Sequence, residues 1–306
     1  MYVSHSSFLD YLAYYIDKLA DYKWFKIILV FFQLLWQYLP YIFLSILFSA
    51  LLAIYLTPKK LGKLLCFNKI SGIIIASLLG AISPLSSYAL IPFAGALLSL
   101  GFPLGAVSAF VISTPLMNPT IFILTLRGLG LEMALARLVA TILIGILAGL
   151  LAELLFKRSV LRKNQALKMP KSKAFWPTVC AMTRYMSKAF LLALLLASLV
   201  RVFLKPEAVA GLFGADKPWS ISLAALLGVP FYTCGGATIP IVSSLIDLGM
   251  DRSAALAFFI AGPATNLPNV SAVFLTFKWY FFLFYLLVSL LFAVMSGYLF
   301  NIWLAI

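Results

Sequence analysis

The sequence predicts an all-α polytopic membrane protein made of two inverted repeats, each with a re-entrant or hairpin helix pair and a proline-broken transmembrane helix. Three observations predict it. Hydrophobic residues make up 64% of the 306 and charged residues 10%, with a mean hydropathy of +1.08. That composition suits lipid rather than water, and apolar runs in lipid must be helical because unpaired peptide groups find no water there. Next, two stretches, 83–119 and 230–269, carry glycine and proline where a membrane helix should be smooth, and they match each other. Pro92 and Pro240, Gly101 and Gly249, Pro115 and Pro263, and Asn118 and Asn266 each lie 148 positions apart, as do Ala109-Phe110 and Ala257-Phe258. Finally, the bases responsible for the net charge of +14 cluster in two segments, 59–69 and 157–184. The positive-inside rule accounts for such clusters, so no nucleic-acid partner is implied.

Residues 1–26 read as an amphipathic lead-in, with Phe8, Leu12, Tyr15, Ile16 and Leu19 at helical spacing. They lack the basic-then-apolar pattern of a cleaved signal, so the first span is expected to act as its own signal. The first transmembrane repeat, 27–156, opens with a span over 27–56, with Trp24, Trp36 and Tyr38 as interfacial anchors. The apolar run 70–100 is interrupted at Ser83-Pro84-Leu85-Ser86-Ser87. Each half is about 13 residues, or roughly 20 Å of helix, too short for a core of about 30 Å. The run 103–126 breaks at Thr114–Pro119, and 131–156 is a smoother span. A basic linker, 157–185, follows. The second repeat, 186–306, repeats the plan: a span over 186–204, a loop over 205–218, an interrupted run over 220–248, a run over 252–276 broken at Gly262–Asn266, and a last span over 280–303.

Charge selects the topology. If each interrupted run crossed the bilayer once, the two basic segments would face opposite sides. If each is a hairpin that enters and leaves on one side, both segments are cytoplasmic. The second arrangement also makes the halves inverted, an architecture of secondary transporters in the plasma membrane.

Chemistry concentrates at the interruptions. Ser86, Ser87 and Tyr88 form the first hairpin tip, and Thr233, Cys234, Gly235 and Gly236 the second. Reversal there frees backbone groups that need partners or a cavity. The short helices that follow would aim their N-terminal dipoles at the centre, favouring an electronegative atom. Asn118 and Asn266 either cap the broken ends or contact a ligand, since an amide at that depth must pair. Asp247, next to the end of the second hairpin, is a weak candidate for ion coupling; the other carboxylates read as caps or interfacial groups. Cys66, Cys180 and Cys234, with His5 as the one histidine, give neither a disulfide framework nor a zinc site. No phosphate-binding loop is present, so no cofactor is expected. An intramembrane thiol enzyme using Cys234 would need a base that the sequence does not supply, and a non-transporting scaffold is the other alternative.

The run Cys234-Gly235-Gly236, Pro240, Gly249, Pro263-Ala264-Thr265-Asn266, with Pro92, Gly101 and Pro115-Leu116-Met117-Asn118-Pro119 in the first half, resembles the predicted-permease family that contains the organoarsenical efflux permeases (ArsP-type) and related proposed copper/zinc exporters. The resemblance covers about 30–300 without the linker. It implies a permease, not an enzyme, that exports a small or metal-like solute from a bilayer, alone or as a homo-oligomer. Many relatives carry Cys-x-Cys at the first tip, where this chain has Ser86 and Tyr88. The soft donors left are Cys234 and, secondarily, Met117.

Overall fold

Apolar runs become helices wherever a proline, a glycine or a capping side chain does not stop them. In the computed structural model the described residues, 22–55, 69–83, 90, 94, 97, 98, 102–156, 160, 175–229, 236, 238–266, 269, 270, 273, 274 and 277–305, form ten helices and no strand. They are α1 Lys23–Tyr55, α2 Lys69–Ile82, α3 Leu104–Leu116, α4 Pro119–Leu155, α5 Phe175–Phe203, α6 Pro206–Phe213, α7 Ser220–Gly228, α8 Thr238–Asp247, α9 Arg252–Thr265 and α10 Trp279–Ala305. Three of these hold segments long and apolar enough to cross a membrane: Lys23–Leu44, Pro119–Leu155 and Trp279–Leu304.

The side chains are sorted as lipid requires. On α4, Leu131, Leu135, Val139, Leu143, Leu147 and Leu154 are exposed, while Ala134, Arg137, Thr141, Gly145, Ala148 and Ala152 are buried. Large apolar groups face outward and small or polar ones face the neighbouring helices, the pattern of packing in a bilayer, where no hydrophobic force drives helices together. Gly149 shows why small residues are needed: a Cβ there would meet the Gly105 carbonyl at 2.7 Å. Serines supply the adhesion, with Ser77 Oγ 3.0 Å from Ser113 Oγ and donating to the Ile142 carbonyl at 2.8 Å.

Two trios of helices result. α2, α3 and α4 pack on one another, and so do α7, α9 and α10, while α1 lies along α5. The contacts inside the trios recur 148 positions apart. A Cβ on Gly149 would meet Ile73, the Gly105 carbonyl and Ala109; one on Gly297 would meet Ile221, the Ser253 carbonyl and Ala257. Gly80 and Gly228 likewise abut the carbonyls of Phe110 and Phe258. The Phe102 amide donates to the Leu97 carbonyl at 3.2 Å, as Met250 does to Leu245 at 2.9 Å.

Contacts also define two ends. At one end, Glu153 near the close of α4 accepts from the Gly105 amide at the start of α3 (2.9 Å), and the Lys278 amide ahead of α10 donates to the Val160 carbonyl (2.8 Å). At the other end, Lys23 at the start of α1 lies over the Phe203 ring at the close of α5. There too the Asp251 amide donates to the Phe213 carbonyl (2.8 Å), and Gly249 faces Ala210. Thus the start of α7 and the end of α8 both adjoin α6.

The structure moves several boundaries. α3 runs through Thr114 and Pro115 and opens only at Met117-Asn118; α9 runs through Pro263 and opens at Asn266. Proline at the last turn removes one hydrogen bond without ending the helix there. α4 takes in both 119–129 and the span after it, folded at Gly130, whose φ of 89° and ψ of 172° favour glycine. α5 begins at Phe175, inside the segment expected to be linker, so Cys180 is an exposed helix residue. Tyr38 is not an interfacial anchor. It is fully buried, edge-on to Phe190 of α5 at 5.9 Å, because α5 covers that face of α1.

Candidate functional site

The broken ends are built the same way in both halves. Asn118, half-buried, is the N-cap of α4: its Oδ1 accepts from the Ile121 amide at 2.9 Å, and its carbonyl accepts from the Phe122 amide at 2.9 Å. Asn266, buried, accepts from the Asn269 amide at 2.9 Å through Oδ1, and from the Val270 amide at 3.0 Å through its carbonyl. Every residue in the second set stands 148 positions after its counterpart in the first. Both asparagines therefore cap a helix that restarts beyond the break, satisfying a donor that would otherwise be orphaned.

The second break carries extra polar support. Asn269 Nδ2 donates to the Pro263 carbonyl at 2.8 Å, and the buried Tyr285 hydroxyl donates to the Ala264 carbonyl at 2.8 Å. These two side chains occupy last-turn carbonyls that the helix itself leaves open.

Of the sequence-derived site residues, Ser86, Ser87, Tyr88, Thr233, Cys234 and Gly235 lie outside the described residues, and Gly236 is a buried turn residue just ahead of α8. Asp247 is exposed and paired with Arg201 from the end of α5, and Arg201 Nε also donates to Ser244 Oγ at 3.0 Å. It sits at an end of the bundle, away from the breaks. The remaining carboxylates hold structural stations. Asp251 accepts from the Ser253 and Ala254 amides at 2.7 and 3.2 Å as the N-cap of α9, and Glu132 pairs with Arg252 at 2.6 Å. Among the described residues no cluster of His, Cys, Asp or Glu could hold a metal ion.

Sequence reasoning passed over one residue of consequence, Arg137. It is fully buried on α4; its Nη1 donates to Thr125 Oγ1 at 3.2 Å, and its guanidinium lies 4.5 Å from the Phe259 ring centroid on α9. The signal was available: an ionisable residue inside an apolar span is a functional candidate by default. Its counterpart at the 148-residue offset is Tyr285. The Thr141 hydroxyl donates to the Arg137 carbonyl at 2.8 Å, as Ser289 does to Tyr285 at 2.7 Å.

Long apolar helices with small inner faces, two capped helix breaks and a buried charge between helices define a polytopic helical membrane protein. The family described as "Predicted permease" matches residues 23–302, and the chain belongs to this ArsP-type predicted-permease family. Among curated relatives, a "Putative two-component membrane permease complex subunit" of Streptococcus mutans is 22% identical over 83% of this chain and 88% of its own. The UPF0718 protein YcgR of Bacillus subtilis is 24% identical over 33% of this chain, and the UPF0718 protein MJ0584 of Methanocaldococcus jannaschii 25% identical over 34%. The matches span only 34% and 28% of the lengths of those two relatives. No solved structure matches the chain. These descriptions point to a transporter rather than an enzyme.

Proposed function

We infer that the chain is a secondary permease that exports a small solute across the cytoplasmic membrane by alternating access. One observation carries most of the weight: the recurrence, 148 residues on, of the same caps, close approaches and backbone bonds about Asn118 and Asn266. Two copies of one unit, entered from opposite ends of the bundle, give an inverted repeat. Such a pair can rock about a central site and open it to either side in turn. In support, α2 and α3 begin at the end of the bundle where α4 closes, whereas α7 and α9 begin at the end bearing α6. The basic segments 59–69 and 157–184 face the cytoplasm under the positive-inside rule.

In this reading the cargo is handled by Ser86–Tyr88, Thr233–Gly236 and the breaks at Asn118 and Asn266. Family membership suggests an organoarsenical or metal-like cargo, for which Cys234 is the soft contact. The name of the Streptococcus mutans relative supports asking whether a second subunit is required. Purified protein in proteoliposomes, offered trivalent organoarsenicals, copper, zinc and neutral solutes, should move at least one of them; failure of every solute, with and without a co-expressed neighbour subunit, would sink the export assignment. Cys234→Ser should abolish transport of a thiol-seeking cargo, and unchanged transport removes the cysteine from the path.

A further inference from the structure

We propose that Glu132 and Arg252 form an ionic latch between the two halves, closed in this structure, that parts when the α6 end of the bundle opens. The inference rests on the transport reading for what the opening serves, but not for the latch itself.

The pair joins residues of different repeats. Glu132 stands on α4, two residues past the turn at Gly130, and Arg252 is the first residue of α9. Arg252 Nη1 donates to Glu132 Oε2 at 2.6 Å. Arg201 with Asp247 and Lys217 with Asp216, by contrast, pair within the second half. Backbone devices place both partners. The Asp251 carboxylate caps α9, and the Asp251 amide donates to the Phe213 carbonyl of α6, so the second half carries the arginine at its α6 end. The turn of the first half carries the glutamate. A Cβ on Gly130 would meet nothing within 4 Å, so no neighbour props the turn on that side.

The opposite end closes differently. The position 148 residues after Glu132 is Tyr280, and the one 148 before Arg252 is Leu104, so the symmetric contact cannot be ionic. There the Phe156 ring, at the close of α4, stacks on Tyr280 at 5.6 Å and meets Phe284 edge-on at 5.2 Å. One end of the seam is held by charge and the other by rings.

Magnitude separates a latch from a structural tie. The Glu132 side chain is 35% exposed and that of Arg252 52%. A pair so open to water shifts an equilibrium by a factor of about five at most, because solvation and salt weaken it. That adds little to the packing that holds the halves together. It is enough to bias which end of a rocking pair stands open, since a contact across the seam at one end is broken in the state where that end parts. Exposure also lets the pair break and re-form without stranding a buried charge.

Pulsed electron paramagnetic resonance reads the α6 end without knowledge of the cargo. Spin labels go on Leu135→Cys, exposed one turn beyond Glu132, and on Ala208→Cys, exposed on α6, in full-length protein lacking Cys66, Cys180 and Cys234. Glu132→Gln and Arg252→Gln should each raise the ratio of the longer to the shorter distance about two- to fivefold. Exchanging the charges, Glu132→Arg with Arg252→Glu, should restore the original ratio, and Glu132→Arg alone should raise it further than Glu132→Gln. About 0.5 M KCl should move the protein with both charges in place in the same direction as the Gln variants. Distances unchanged in both Gln variants overturn the latch even where solute moves in vesicles, as does a charge exchange that restores nothing. Should the variants fail to fold, a ratio unmoved by salt overturns it equally. If the distances respond as expected and no solute crosses in proteoliposomes, the latch stands and the transport reading alone falls.

Discussion

Asn118 and Asn266 each direct the side-chain oxygen at the amide three residues on, a local bond that either could make without any cargo. Replacing Asn118 with alanine should therefore cost about 1 kcal/mol of stability, the usual value of an N-cap, while aspartate should retain most of it. Chemical unfolding in detergent measures both. If Asn118→Ala leaves stability intact yet stops transport in vesicles, the amide serves the ligand rather than the helix. Asn266→Ala should cost at least as much, because Asn269, whose amide it holds, also donates to the Pro263 carbonyl. The two asparagines were legible from the sequence because an offset marks them twice. Arg137 carries no such second mark, because the position at its offset is Tyr285 and a lone arginine inside an apolar run belongs to no motif.

Each trio depends on the close approach of its helices, which is set by what lacks a side chain. Gly149→Ala would drive a methyl to 2.7 Å from the Gly105 carbonyl, and Gly297→Ala to 3.0 Å from the Ser253 carbonyl. Both carbonyls are backbone, and the Ile221 methyl lies closer still to the Gly297 position, at 2.4 Å, so each substitution should destabilise by about 1–3 kcal/mol. The larger loss is expected at Gly149, where the approach to backbone is tighter, and a shift in unfolding midpoint for each variant decides the order. Gly130 is a different case, since space around it is open and only its φ of 89° demands glycine. Gly130→Ala should cost about 1–2 kcal/mol from backbone strain alone. The apolar runs at these elements were readable from composition. The places where helices resume were not, because Pro115 and Pro263 look like terminators in sequence, yet each lies within the last turn of a helix that a following asparagine closes. The start of α5 was equally hidden: positive charge before the span suggested a loop, but the backbone from Phe175 onward is already helical.

At the scale of the molecule, the two halves differ in their buried polar groups. The first trio is held by hydroxyls, Ser77 on Ser113 and on the Ile142 carbonyl, whereas the corresponding positions in the second are Ala225 and Ala261. The first carries Arg137 and the second Tyr285. Under the proposed transport function, halves that differ in this way would offer a solute unlike surroundings. All of this presupposes that the units are inverted in the bilayer, and that has a direct physical consequence. With an odd number of crossings between the starts of the two units, residue 63 in the first basic segment and residue 208 on α6 must face opposite compartments. Lys63→Cys and Ala208→Cys, each introduced alone into a variant lacking Cys66, Cys180 and Cys234, should react with a membrane-impermeant maleimide from opposite sides: Ala208→Cys in intact cells, Lys63→Cys only in everted vesicles. Ala208 is exposed on α6, so lack of access would not mask the result there. Labelling of both from the same side would leave the recurrence at 148 residues without an inversion, and with it no basis for a site that opens alternately to the two sides.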